Sequence, residues 1–368
     1  MIALVVAVLA IASVVDPAGT SGQVAATVYG RWWFVALWGI LALAACWSVC
    51  RARMWRRPGL FLLHVSFGVI LLGAAITHFT SHRGFVHLRQ GEVTNQYMYR
   101  SEDGQQLLLH GMPFLMALDT FCVQYDADGI TPADYVSRVT ILDRKDQHAV
   151  RISMNRIGRE HGYRIFQTSY DDDLHGCLFT LSYDPWGTAV TYLGYALLAI
   201  SMVWNRRVNS EKLTVKSEKS NFQFSIFLGL LLASYMVVAI AFRPLMPVLR
   251  SPMLFIHVGV IMVSYVLLIV SMVRREVLRY AVFFLAAGIF LGAMWANISW
   301  GSYWSWDPKE TWAIITLLVY SIPLHQQSLP WFRSMHNYRL YSLFCLLCLL
   351  MTYFGVNYLL GGMHSYAS

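Results

Sequence analysis

Long apolar runs divide this chain, and their length is what most limits the folds open to it. A helix needs about 20 consecutive apolar residues to cross the ~30 Å hydrocarbon core of a bilayer. Runs near 31–50, 59–80, 186–204, 222–242, 253–273, 278–297 and 340–357 reach or approach that length, and shorter ones lie at 2–15 and 311–326. In hydrocarbon a segment must satisfy its own backbone N–H and C=O groups, so such runs become helices. Of 368 residues, 57% are hydrophobic and only 13% charged, where a soluble domain carries ~25% charge. The expected fold is a polytopic α-helical membrane protein with about nine transmembrane helices. The first run lacks a basic n-region and an A-x-A-like site, so it reads as an anchor rather than a secretory leader.

The net charge of +8 does not imply a nucleic-acid partner, because the cations sit in short loops between apolar runs. Arg51, Arg53, Arg56 and Arg57 follow the second run. Arg206, Arg207, Lys212, Lys216 and Lys219 follow the fourth, Arg274, Arg275 and Arg279 the sixth, and Arg333 and Arg339 the eighth. With nine alternating helices these loops share one side, and the positive-inside rule makes that side the cytoplasm. The N-terminus is then cytoplasmic. The stretch 81–184 and the gap after the seventh run face outward. Arg243, Arg250 and Lys309 run against the trend.

Residues 81–184 are a different material. Tyr135–Leu142, Ala149–Met154, Tyr163–Thr168 and Cys177–Tyr183 alternate apolar and polar positions, with turn formers at Asp126–Gly129 and Tyr170–Asp173 between them. Period-two alternation with β-branched and aromatic residues predicts strands. A small extracytoplasmic β-rich domain is therefore expected between helices 3 and 4. The organisation reads as helices 1–3 over 1–80, the β-rich domain over 81–184 and helix 4 over 185–204. A basic cytoplasmic linker follows over 205–221, and a second helical unit over 222–368.

The gap between the seventh and eighth runs reads Trp300-Gly-Ser-Tyr-Trp-Ser-Trp-Asp-Pro-Lys-Glu-Thr-Trp312. An interfacial belt anchoring helix ends explains one or two such rings. The density of the string suits a large flat ligand better. Histidines are the second signal. His64 lies near the cytoplasmic end of the third run and His325 closes the eighth on the same side. His257 lies near the outer end of the sixth run and His364 in the outer tail. An imidazole in hydrocarbon is expensive, and neutral imidazole is an axial ligand of haem iron. Taken singly, each of these histidines also reads as a helix-end group bonded to a carbonyl; the pairing by leaflet favours ligands. His78, His82 and His87 flank a span end without tight metal spacing. Cys46, Cys50, Cys345 and Cys348 fall in spans, whereas Cys122 and Cys177 lie on the oxidising side, where a bridge is open to them. Cys345-Leu-Leu-Cys348 lacks the following His of a haem-attachment motif.

On these residues the chain resembles the haem-handling proteins of cytochrome c maturation. Trp300–Trp312 is similar to the WWD string of the CcsA (ResC) branch. Ser251-Pro-Met-Leu-Phe-Ile-His257 and Gly355–Tyr366 resemble its flanking segments, and Asn155 with Gly162-Tyr-Arg-Ile-Phe-Gln-Thr-Ser-Tyr-Asp171 resembles the outer domain of CcsB (ResB). The whole looks like a shortened fused CcsB–CcsA synthase of System II in a bacterial cytoplasmic membrane. The resemblance implies haem b (iron protoporphyrin IX) as a transient substrate, ligated by His64 and His325 within the membrane and by His257 and His364 at the outer face. Trp300, Gly301, Trp304, Trp306 and Asp307 would form a platform beneath the outer haem. The implied reaction is thioether attachment to the Cys-x-x-Cys-His motif of an apocytochrome c, with thioredoxin-like thiol reductants as further partners. A CcmC-type haem relay and a membrane b-type cytochrome are the competing classes. The β-rich domain favours the synthase over the relay. The spread of four histidines over three spans and the tail disfavours the b-type cytochrome.

Overall fold

The computed structural model describes residues 2–15, 28–100, 106–143, 146–154, 156–213 and 251–360. The expected span at 222–242 and His364 lie outside these residues. The helices are α1 (Ile2–Val15), α2 (Trp32–Arg51), α3 (Pro58–Thr80), α4 (Gly187–Leu213), α5 (Pro252–Ser271), α6 (Leu278–Trp300), α7 (Pro308–Ser321) and α8 (Met335–Leu350), which runs on as a π-helical segment over Met351–Leu360. Among the described residues, six stretches are long and apolar enough to cross a membrane: Trp32–Arg51, Pro58–Thr80, Gly187–Trp204, Pro252–Ser271, Arg275–Trp300 and Met335–Leu360. The protein is a polytopic helical membrane protein with an antiparallel β domain between α3 and α4. α4 does not stop at 204; it continues to Leu213, so the basic linker begins as helix. The short helices α1 and α7 pack on each other, and the Trp312 indole donates to Ser13 Oγ at 3.0 Å. α2 buries only Phe34 and Leu37, which leaves most of its apolar surface for lipid.

The β domain is one eight-stranded sheet in the order β5-β4-β3-β2-β1-β8-β7-β6. Its strands are β1 (His82–Arg89), β2 (Val93–Arg100), β3 (Leu107–Tyr125), β4 (Pro132–Leu142), β5 (Gln147–Ser153), β6 (Gly158–Glu160), β7 (Tyr163–Tyr170) and β8 (Gly176–Tyr183). β1 lies fully along β8, from His82↔Tyr183 to Arg89↔Gly176, so the strands entering and leaving the domain are neighbours. This returns the chain to α4 beside the end of α3. The sheet curls on itself: a bridge Ser153↔Arg156 and a bond from Ser137 Oγ to Gln167 Oε1 at 2.8 Å connect its two edges. The curl encloses Met116, Leu118, Ile141, Ile152, Ile165 and Phe179, none of them measurably exposed. Strands β1 to β3 are the part the alternation did not single out. β3 opens with Leu107-Leu-Leu and carries Gly111 and Pro113, and its register with β2 slips by several residues between Thr94 and Gln96. Side chains still alternate in and out over Met112–Leu118, but the outward positions Pro113 and Leu115 are apolar too, so the sequence there shows no polar–apolar period.

α3 and α4 form the closest helix pair, because each gives up side chains where the other approaches. A Cβ on Gly73 would lie 2.6 Å from the Thr191 backbone nitrogen, and one on Gly194 would lie 2.9 Å from that of Ile70. Small residues let helices in lipid approach to backbone contact. Helix direction then sets two ends. The sheet, the start of α4 and the end of α6 share one end. The basic turns after α2, α5 and α7 lie at the other. Arg275 stacks on the Tyr338 ring at 4.9 Å, joining two of those turns. Gly73→Val should force the α3–α4 seam apart at a cost of about 1–3 kcal/mol, read as a lower thermal midpoint of the detergent-solubilised chain.

Candidate functional site

The loop 301–307 reverses the chain between α6 and α7, and its geometry follows from its residues. Gly301 ends α6 in the left-handed region at φ 76°, which glycine adopts without a Cβ penalty. Trp306 also has a positive φ, 58°, which is uncommon for a bulky residue and held only where its surroundings over-determine it. Asp307 then caps α7: its Oδ1 accepts from Lys309 N at 2.8 Å, and Pro308 fills the first helical position. Glu310 reaches back to accept from Ser305 N at 2.7 Å, and Thr311 Oγ1 donates to Trp306 O at 3.2 Å. The loop is thus bonded to the helix it starts.

Trp306 is held by rings from the N-terminal helices. It stacks on Tyr29 (4.9 Å between centroids, 10° between planes), meets Phe34 and Trp304 edge-on at 5.1 and 5.7 Å, and lies 6.3 Å from Trp38. Trp300, Trp304 and Trp306 are half-buried rather than an open platform, because α2 supplies the opposite wall. Among the described residues, the buried indole N–H groups of Trp38 and Trp304 meet no acceptor. An unpaired buried donor is costly, so these two fit a ligand that brings an acceptor.

The sheet closes the other side. Arg83 Nη2 donates to Trp300 O at 3.2 Å, and Ser182 Oγ donates to Gly301 O at 3.1 Å. Arg164 donates to Asn297 Oδ1 at 2.5 Å and to Gly301 O at 3.5 Å. Burial draws the Arg164 guanidinium below its ordinary pKa, with Asp184 opposing. Tyr303 OH donates to Thr77 Oγ1 at 2.8 Å, and Thr77 in turn donates to Asp184, the carboxylate that caps α4. Arg83, Ser182 and the α2 rings have no local sequence signal, and Arg164 stands out only as part of the Gly162–Asp171 string. Asn297 carried a signal, as a polar side chain inside an apolar run.

His64 and His325 come together at the end away from the sheet, with ring centroids 6.4 Å apart and planes at 85°. Each Nδ1 bonds the carbonyl four residues back: Leu60 O at 2.9 Å and Ser321 O at 3.1 Å. A carbonyl can only accept, so in the neutral rings the proton is on Nδ1 and the lone pair on Nε2. Metal–nitrogen bonds of about 2 Å place two imidazoles sharing one ion roughly 6 Å apart, centroid to centroid. His257 lies in the second turn of α5. Its Nδ1 donates to Gly288 O at 2.7 Å, and its ring covers Gly292, where a Cβ would come within 2.5 Å of it. That level is eight to twelve residues before Trp300, roughly 12–18 Å down α6. His257 therefore sits deeper than a position at the outer face. Among the described residues no three His, Cys, Asp or Glu side chains converge as a metal cluster. Cys122 and Cys177 are free thiols, the first exposed and the second buried. Burial raises the Cys177 pKa.

Residues 50–181 match the model of the ResB-like family, and residues 271–364 match that of the cytochrome c assembly protein family. One chain thus carries both matches, one after the other, and neither alone reaches half of its length. It is similar to protein NrfI of Wolinella succinogenes, at 40% identity over 293 aligned positions that cover 53% of this chain and 32% of that protein. It is also similar to the cytochrome c biogenesis protein CcsA of Oenothera argillicola (49% over 85 residues, 23% of this chain and 26% of that protein) and of Lactuca sativa (48% over 93 residues, 25% and 29%). The chain thus spans about a third or less of these relatives. Arg83, Arg164 and His64 belong to the ResB-like segment; Asn297, Gly301, the tryptophan loop and His325 belong to the assembly segment. Tyr29, Phe34, Trp38 and His257 fall outside both matches.

Replacing Asp307 with Ala removes the cap of α7 and should cost about 0.5–2 kcal/mol, visible as a lower unfolding midpoint. A maleimide added to the native protein should modify Cys122 and reach Cys177 only after denaturation.

Proposed function

We propose that this chain works in cytochrome c biogenesis as a holocytochrome c synthase of the haem-lyase type. Haem b is its transient substrate. Haem enters from the cytoplasmic side of a bacterial inner membrane, is held first between His64 and His325, and passes outward to His257 and His364, which ligate it below the level of the tryptophan loop. The observation that carries this reading is the His64–His325 pair: two imidazoles from different segments, with ring centroids 6.4 Å apart, each bonded through Nδ1 to a carbonyl and so left with Nε2 for a ligand. The buried indole donors of Trp38 and Trp304, which meet no acceptor among the described residues, suit the propionate oxygens of the same substrate. The segregation of basic turns to the end opposite the sheet supports the orientation.

In the attachment step each thiol of the apocytochrome Cys-x-x-Cys-His adds across a haem vinyl group. Sulfur bonds one vinyl carbon, the other takes a proton, and no electrons are lost. The protein's part is positioning, which by itself contributes several kcal/mol to such a step. The partner is an apocytochrome c, and thioredoxin-like reductants keep its thiols reduced.

The test is co-expression with an apocytochrome c reporter in a host stripped of its own maturation genes. Covalent haem should appear on the reporter in a denaturing gel, and His257→Ala and His364→Ala should each abolish it. His64→Ala or His325→Ala should lower the Soret absorbance of the purified chain. Haem that co-purifies without any covalent product would leave a relay and remove the synthase. A colourless preparation from haem-replete cells would remove both.

A further inference from the structure

We infer that Arg164 is the positioning residue of the tryptophan loop: strand β7 caps α6 from another domain and so sets the conformation of residues 301–307. For its consequence in maturation the inference rests on the synthase reading; for its structural content it stands alone.

The last four carbonyls of a helix have no partner within it. At the end of α6 two of them take side-chain donors from the sheet, Trp300 O from Arg83 and Gly301 O from Ser182 and Arg164. Both arginines bring positive charge to the negative end of a helix dipole, the favourable sign. Arg164 does the most. Its guanidinium reaches Asn297 and Gly301, four residues apart on one face of α6, and also contacts Ser182 Oγ at 3.4 Å. Asn297 is itself oriented, since its Nδ2 donates to Tyr192 OH at 2.7 Å on α4. A planar fork can span these acceptors, and a lysine ammonium cannot reach them together.

The contact is also shaped. The Phe166 ring, two residues along β7, lies on Gly301 so closely that a Cβ there would come within 2.2 Å of it. Gly301 thus meets two demands, a left-handed backbone and bare space beneath a ring. Five residues on, Trp306 holds its strained backbone among Tyr29 and the α2 rings of Phe34 and Trp38. With one end pinned by β7 and the other by the α7 cap, the loop has little freedom to place Trp304 and Trp306 elsewhere. Residues 162–171 of the ResB-like segment and 300–307 of the assembly segment therefore act as one device.

The experiment compares full-length Arg164→Ala, Arg164→Lys and Ser182→Ala with wild type in hydrogen–deuterium exchange and in reporter maturation. Exchange over 301–307 should speed up by about tenfold or more in Arg164→Ala, less in Arg164→Lys and least in Ser182→Ala, with 187–204 unchanged. Covalent haem on the reporter should fall in the same order, while the Soret band of haem held at the opposite end persists. Unchanged exchange over 301–307 in Arg164→Ala overturns the inference, and so does wild-type maturation with a loosened loop. If Arg164→Ala does not fold, the two milder variants decide by the same criteria. If wild type fails to mature the reporter, the synthase reading falls and the exchange result alone decides the clamp.

Discussion

The carbonyl end of α6 is the point on which the two halves of this protein turn. A helix that stops beside apolar surroundings must find donors for its last carbonyls, and α6 finds them on strands of another domain. Once Arg83, Ser182 and Arg164 are committed there, the sheet has one seat on the helices. The path from Gly301 to Asp307 and the start of α7 follow from that seat.

Chemistry is gathered at the two ends of the helical layer. His64 and His325 occupy one, and the tryptophan loop occupies the other. Along α3, His64 is sixteen residues from Thr80, roughly 24 Å, close to the thickness of a hydrocarbon core. On the proposed function, a substrate held first at one end and used toward the other travels on the order of that distance. His257, seated on the middle of α6 against Gly288 and Gly292, lies between the two levels. Glycine serves the same purpose there as in the α3–α4 seam, letting a neighbour come to backbone contact.

The tryptophans do not form an open shelf. Trp306 is enclosed by Tyr29, Phe34, Trp38 and Trp304, and among the described residues the indole donors of Trp38 and Trp304 meet no acceptor. A buried polar group left unpaired in a well-formed aromatic wall usually has a role. Tyr29, Phe34 and Trp38 lie outside both family matches, so the N-terminal part of the chain builds the candidate site as much as the two matched segments do.

Membrane class, the spans among the described residues and the location of a β domain between α3 and α4 were legible in the chain, because bilayer thickness and sheet pleat impose their own periods on sequence. Strands β4, β5, β7 and β8 showed that period; β3 did not, because its outward positions Pro113 and Leu115 are apolar like its inward ones. The histidines stood out by their cost in hydrocarbon. Which partner each one meets, and the pairing of Arg164 with Gly301 across 137 residues, are contacts between distant segments with no local signature. Composition determined what this chain is made to dissolve in. Only packing decided that a strand of one segment would hold the loop of the other, since the donors that end a helix are chosen by what lies beside it in space.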